Sequence, residues 1–77
     1  MQIKLISFGK IAEFVTEQNI EIENISNTDE LCLFFEKKYP ALANMKYKVA
    51  LNKNLVQQNS KIENMDTVAL MPPFSGG

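Results

Sequence analysis

The chain has 77 residues, 45% of them hydrophobic, and a formal net charge of −1. That length supports one domain with a core close to the lower limit of sufficiency, and the apolar fraction is too high for disorder. Lysines and acids are interspersed without a basic stripe, which argues against nucleic acid, and no apolar run approaches the roughly 18–20 residues that span a bilayer.

Gln2 to Phe8 reads as a first strand, with Ile3 and Leu5 on one face and Lys4, Ile6 and Phe8 on the other. Gly9 interrupts it, and Lys10 to Val15 suits a short helical turn. Ile20 and Ile22 alternate with Glu21 and Glu23, the pattern of a half-exposed second strand that pairs with the first as a hairpin. Asn27 with Glu30 three residues on predicts a capped helix start. Asp29 and Glu30 in its first turn and Lys37 and Lys38 in its last match the helix dipole. Leu31, Phe34 and Phe35 share one face with the stem of Lys38, and Pro40 closes the helix. Tyr47 to Asn52 is a third strand, Asn52-Lys53-Asn54 a turn, and Leu55-Val56 the start of a short fourth strand. Asn64-Met65-Asp66 is a polar turn without glycine, and Thr67 to Met71 is the fifth strand.

This order predicts an α+β fold: a mixed sheet of four to five strands crossed by one main helix. One helix covers only one face. If Ile3, Leu5, Val68 and Leu70 face it, then Ile6, Phe8, Ala69 and Met71 face away and remain at least partly exposed. Should the first and last strands be neighbours, these side chains form an apolar docking patch where the chain leaves the sheet. Isolated apolar residues scattered over an ordinary surface are the alternative.

The ending, Pro72-Pro73-Phe74-Ser75-Gly76-Gly77, is the most informative segment. Two prolines favour a stiff, extended spacer, and two glycines let the final backbone lie in a slot too narrow for side chains. The arrangement suits a Gly77 carboxylate presented to another protein's active site, with a frayed tail as the alternative. We therefore divide the chain into a domain over 1–71 and an extended arm over 72–77. There is no histidine, which excludes Ser/His and Cys/His catalysis within the chain, and a lone Cys32 excludes an internal disulfide and the usual zinc sites. Cys32 reads as a small core or boundary residue. With glycine only at positions 9, 76 and 77, no phosphate-binding loop exists. The opening Met1-Gln2-Ile3-Lys4 lacks a signal-peptide design, and with the unpaired cysteine a reducing cytoplasm is expected.

These residues resemble the ubiquitin-like β-grasp proteins, and more closely the small, sulfur-carrying subunits of molybdopterin synthases. The matching stretches are Phe8 with Glu13, Leu31 through Tyr39-Pro40, Ala50-Leu51-Asn52 leading to Leu55-Val56, Asp66 to Leu70, and the closing Pro-Pro-Phe-Ser-Gly-Gly. The chain departs from the family at Gly9, where alanine is frequent, at Ala12, where arginine is common, and at Asn64-Met65-Asp66, which lacks the usual Gly-Asp turn.

The resemblance implies that a ubiquitin-activating-like adenylyltransferase uses ATP to convert the Gly77 carboxylate into an acyl-adenylate. A persulfide donor then yields a terminal thiocarboxylate. It further implies a large synthase subunit that receives Pro72 to Gly77 as an inserted arm, docks on Phe8, Leu55 and Met71, and supplies the catalytic side chains. Sulfur passes there to cyclic pyranopterin monophosphate to build the dithiolene, within a two-plus-two heterotetramer. The chain itself is expected to bind no cofactor, metal, nucleic acid or membrane. Alternatives sharing the fold and ending are a sulfur carrier for thiamine thiazole or tRNA thiolation and a ubiquitin-like tag. A plain binding module with an incidental tail is the third.

Overall fold

The computed structural model describes residues 1–73. Its elements in chain order are strand β1 (Gln2–Ser7), a 3₁₀ turn (Gly9–Glu13), β2 (Gln18–Glu21) and helix α1 (Thr28–Lys38). A short helix α2 (Pro40–Ala43) and strands β3 (Lys48–Leu51), β4 (Asn54–Leu55) and β5 (Thr67–Met71) follow. The strands form one mixed sheet in the order β2-β1-β5-β3-β4. Two antiparallel hairpins, β1–β2 and β3–β4, flank a central β5 that runs parallel to β1 and antiparallel to β3.

The inner face follows from the period-two pattern. Ile3 and Leu5 of β1 and Val68 and Leu70 of β5 are buried beneath α1, joined by Val49 of β3. Leu31 and Phe35 of α1 are buried against them, and Phe34 lies half-buried with its ring 5.6 Å from that of Phe35. Each fully buried side chain of this kind contributes roughly 1.5–3 kcal/mol, so the two helical anchors alone supply a substantial part of a small domain's stability.

The N-terminus of α1 is held by several polar bonds. Asn27 Oδ1 accepts from the Glu30 N–H at 2.9 Å, and Glu30 Oε1 accepts from the Ser26 N–H at 2.9 Å. The reciprocal bond thus reaches one residue earlier than in the standard capping box. Asn59 Oδ1 adds a bond from the Asp29 N–H at 2.9 Å, and an isolated bridge joins Asn27 to Lys61. Through these the 57–62 segment clamps the helix start and delivers Ile62 to the core.

Pro40 does more than close α1. It opens the four-residue α2, where its fixed φ and missing N–H suit the first turn, and α2 buries Leu42. The strands begin and end within a residue or two of expectation: β3 starts at Lys48 rather than Tyr47, and Ile22 lies just beyond β2. The turn at Asn64-Met65 forms without glycine because Met65 accepts φ of 72°. The β3–β4 connection likewise places Asn52 and Lys53 at φ of 50° and 74°, the two positive values a tight hairpin turn demands. Among the described residues no helix is long and apolar enough to cross a membrane.

Candidate functional site

Among the described residues no layer covers the sheet face opposite α1. Because β1 and β5 are parallel neighbours in the register Ile6↔Ala69, and β3 pairs Ala50↔Ala69 and Lys48↔Met71, side chains from three strands meet there. β4 adds Leu55, which pairs with Ala50. Ile6, Phe8, Ala50, Leu55, Thr67, Ala69 and Met71, with Asn52 and Lys53 at one side, line a hollow of about 550 Å³. Phe8 is 50% exposed and Leu55 49%, an unusual degree for large apolar residues set side by side.

Alternation sets Phe8 and Met71 on this face, the pairing of β1 with β5 brings them together, and Leu55 joins them. Ala69 also points to this face but is only 7% exposed, because its small side chain lies below the level of the larger ones around it. The hollow floor is thus alanine at positions 50 and 69, and its walls are Phe8, Leu55, Ile6 and Met71. A shallow apolar basin of this shape fits a protruding apolar side chain.

The basin continues toward the chain's exit. Phe8, Gly9, Met71 and Pro72 line a smaller hollow of about 370 Å³ where β5 gives way to the two prolines. Pro72 and Pro73 follow Met71 without regular structure. Phe74, Ser75, Gly76 and Gly77 lie outside the described residues.

A second large hollow, about 520 Å³, opens beside the start of α1 and includes Thr28, Asp29, Cys32, Tyr47 and Lys48. Its chemistry is unpromising. Burial pushes the Cys32 thiol above its ordinary value, Tyr47 beside it pulls the other way, and Glu36 and Asp29 push it up further, so the reactive thiolate is scarce near neutrality. Burial and a 2.5 Å bond donated to Glu36 Oε2 likewise raise the Tyr47 phenol, which stays protonated. Cys32 is half-buried, a boundary residue in keeping with its sequence context. Among the described residues no cluster of His, Cys, Asp or Glu could hold a metal ion.

Sheet order, a single crossing helix and the strand pairing together define a ubiquitin-like β-grasp protein. A family model described as the ThiS family matches residues 5–77. The chain is 39% identical over 83 aligned positions to a molybdopterin synthase sulfur carrier subunit of Chlamydomonas reinhardtii, covering 100% of both. Among solved structures it superposes on a chain described as molybdopterin converting factor subunit 1 from Pyrococcus furiosus with a TM-score of 0.83. That match has 18% identity, covers 95% of this chain and 98% of that one, and speaks for the fold. A chain in the protein–protein complex of subunits 1 and 2 of molybdopterin-converting factor from Helicobacter pylori 26695 matches with a TM-score of 0.69, 26% identity and full coverage of both. The chain belongs to the ThiS family, and within it to the molybdopterin synthase sulfur carrier subunits.

Proposed function

We propose that the chain carries sulfur as a thiocarboxylate on Gly77 and, docked on a large synthase subunit, gives it to cyclic pyranopterin monophosphate. The observation that carries this reading is the uncovered apolar basin of Phe8, Leu55 and Met71 running directly into Pro72, so that a docked partner meets the arm at once. Relationship to a named sulfur carrier subunit along the whole chain supports it, as does the complex of two subunits in the Helicobacter pylori structure.

The chemistry is main-chain chemistry. Attack of the Gly77 carboxylate on the α-phosphorus of ATP releases pyrophosphate and gives an acyl-adenylate, turning a poor electrophile into a good one. The terminal sulfur of a persulfide attacks the acyl carbon and expels AMP, and a thiol then cleaves the acyl disulfide, leaving the thiocarboxylate. Each donation regenerates the carboxylate, and two rounds furnish both dithiolene sulfurs. The body, residues 1–71, serves to dock and the arm, 72–77, to reach. A cytoplasmic setting and a two-plus-two assembly accompany the proposal.

The test is intact-mass analysis after incubation with ATP, an adenylyltransferase and a sulfur donor, followed by addition of a large subunit and the pterin. Expected are a mass gain equal to sulfur replacing oxygen and formation of molybdopterin. Ladders of heavier conjugates would identify a tag instead. Sulfur loading with delivery only to a thiazole synthase or a tRNA-thiolating enzyme would redirect the pathway. Retention of full activity without Gly77 would leave a binding module.

A further inference from the structure

The apolar walls of the basin are bordered by charge of one sign. Lys48 pairs with Met71 across β3 and β5 while its neighbour Val49 is buried on the opposite face, so the exposed Lys48 belongs to the basin side. Lys53, also exposed, lines the basin beside Leu55. Lys4, in register with Thr67, is the third lysine of this face, and it pairs with Glu17 at 3.7 Å. The nearby carboxylates are engaged within the chain. Glu21, on the edge strand β2, holds the Met1 amino group at 3.0 Å. Asp66 accepts from Asn52 Nδ2 at 2.9 Å and from the Glu63 N–H at 2.8 Å. Among the described residues Lys48 and Lys53 enter no ion pair. Lys53 also sits at φ of 74°, where glycine is relaxed and a lysine is not, so its charge stands at the basin's edge at a cost in stability.

A surface that covers the basin comes down on these two ammonium groups. Against a neutral or basic surface they would lose water without gaining a partner, which disfavours contact, whereas against carboxylates they would pair. Their long stems can lie along the apolar walls while the charged heads reach the rim. We infer that the partner surface filling the basin is acidic around the apolar side chain it inserts, with Lys48 and Lys53 as its cationic contacts. The occupant is the large synthase subunit of the proposed function, on which the inference rests. Rim charges act on encounter more than on the lifetime of a complex, so the signature lies in the association rate and its response to salt. Attraction between the chain's net charge of −1 and a basic partner would also weaken in salt. Removing lysines would then speed association, whereas an acidic rim makes the same change slow it.

The test is stopped-flow association of the full chain with a molybdopterin synthase large subunit at about 20 and about 200 mM salt. The wild-type association rate should fall by about fivefold or more between the two. Lys48→Gln/Lys53→Gln should associate about fivefold more slowly at the lower salt and respond little to salt, with dissociation changed by less than about threefold. Lys37→Gln, on the helix that crosses the other face, should behave as wild type. Lys53→Gly separates charge from turn geometry: it should raise the denaturation midpoint by relaxing the turn and still slow association. Unchanged or faster association in Lys48→Gln/Lys53→Gln would overturn the inference, as would a wild-type rate that does not fall with salt. Sedimentation of the chain alone as a dimer that Phe8→Asp dissolves would give the basin to a second copy and overturn it too. These outcomes leave the carrier function standing. Binding to a thiazole synthase, with none to the large subunit at either salt, would instead remove that function and the inference with it.

Discussion

Phe8 and Leu55 are each half exposed, so changing them separates the proposed docking from folding. Phe8→Asp or Leu55→Asp should weaken binding of a large subunit by a few kcal/mol in titration calorimetry and move folding stability by less than about 1 kcal/mol. Met71 is more enclosed and should show losses in both. A different outcome is expected at Cys32 and Tyr47. Both groups hold their protons more tightly in the folded chain than in the unfolded one. The stability they contribute is therefore intact below their ordinary values and lost as pH rises beyond about 9–10 toward the folded values. Denaturant midpoints should hold between pH 7 and 8 and fall above 9, and the fall should be shallower in Cys32→Ala/Tyr47→Phe. At this scale the sequence was partly legible. Phe8 and Met71 announce themselves by strict alternation along two clear strands. Leu55 does not, since a two-residue strand has no period, and only its pairing with Ala50 puts it in the basin.

Helix α1 is an amphipathic lid whose buried and exposed sides sit within one turn of each other. Leu31→Ala and Phe35→Ala should each cost about 3–5 kcal/mol in chemical denaturation, most of the stability available to a domain of this size. Leu33→Ala, at a position 62% exposed, should cost well under 1 kcal/mol and serves as the control. Asn27→Ala should cost about 1 kcal/mol through the lost cap. At the turn before β5, Met65→Gly should raise stability by about 1 kcal/mol, since Met65 pays for a φ of 72° with a side chain that is 69% exposed and packs little. The capped start of α1 and the limits of β5 follow from local chemistry that a sequence displays openly. The α2 turn and the buried Ile62 do not. Four residues after a proline look like loop, and one isoleucine in a polar stretch carries no periodicity. What buries Ile62 is a set of bonds from Asn59 and Ser60 to the start of α1, some thirty residues away in sequence.

The molecule as a whole divides labour between its two sheet faces. One is closed by α1 and supplies the core; the other, open among the described residues, carries the apolar basin proposed for docking. Every buried hydrophobic residue described falls between Ile3 and Leu70, so deleting residues 74–77 should leave the thermal midpoint of the body unchanged while abolishing sulfur loading. The mixed sheet with one crossing helix was legible from the order of elements, because alternating and helical periods seldom mislead over segments this regular. The neighbouring of β1 and β5 was not, since pairing partners leave no mark on local pattern. It decides whether Phe8 and Met71 meet at all.

The central position of β5 also bears on synthesis. A chain that lacks Thr67–Met71 has two hairpins with no strand between them, and an isolated hairpin is marginal in water. A product terminated before that strand cannot close its sheet and is left to proteases. Cells would therefore accumulate only molecules translated through β5.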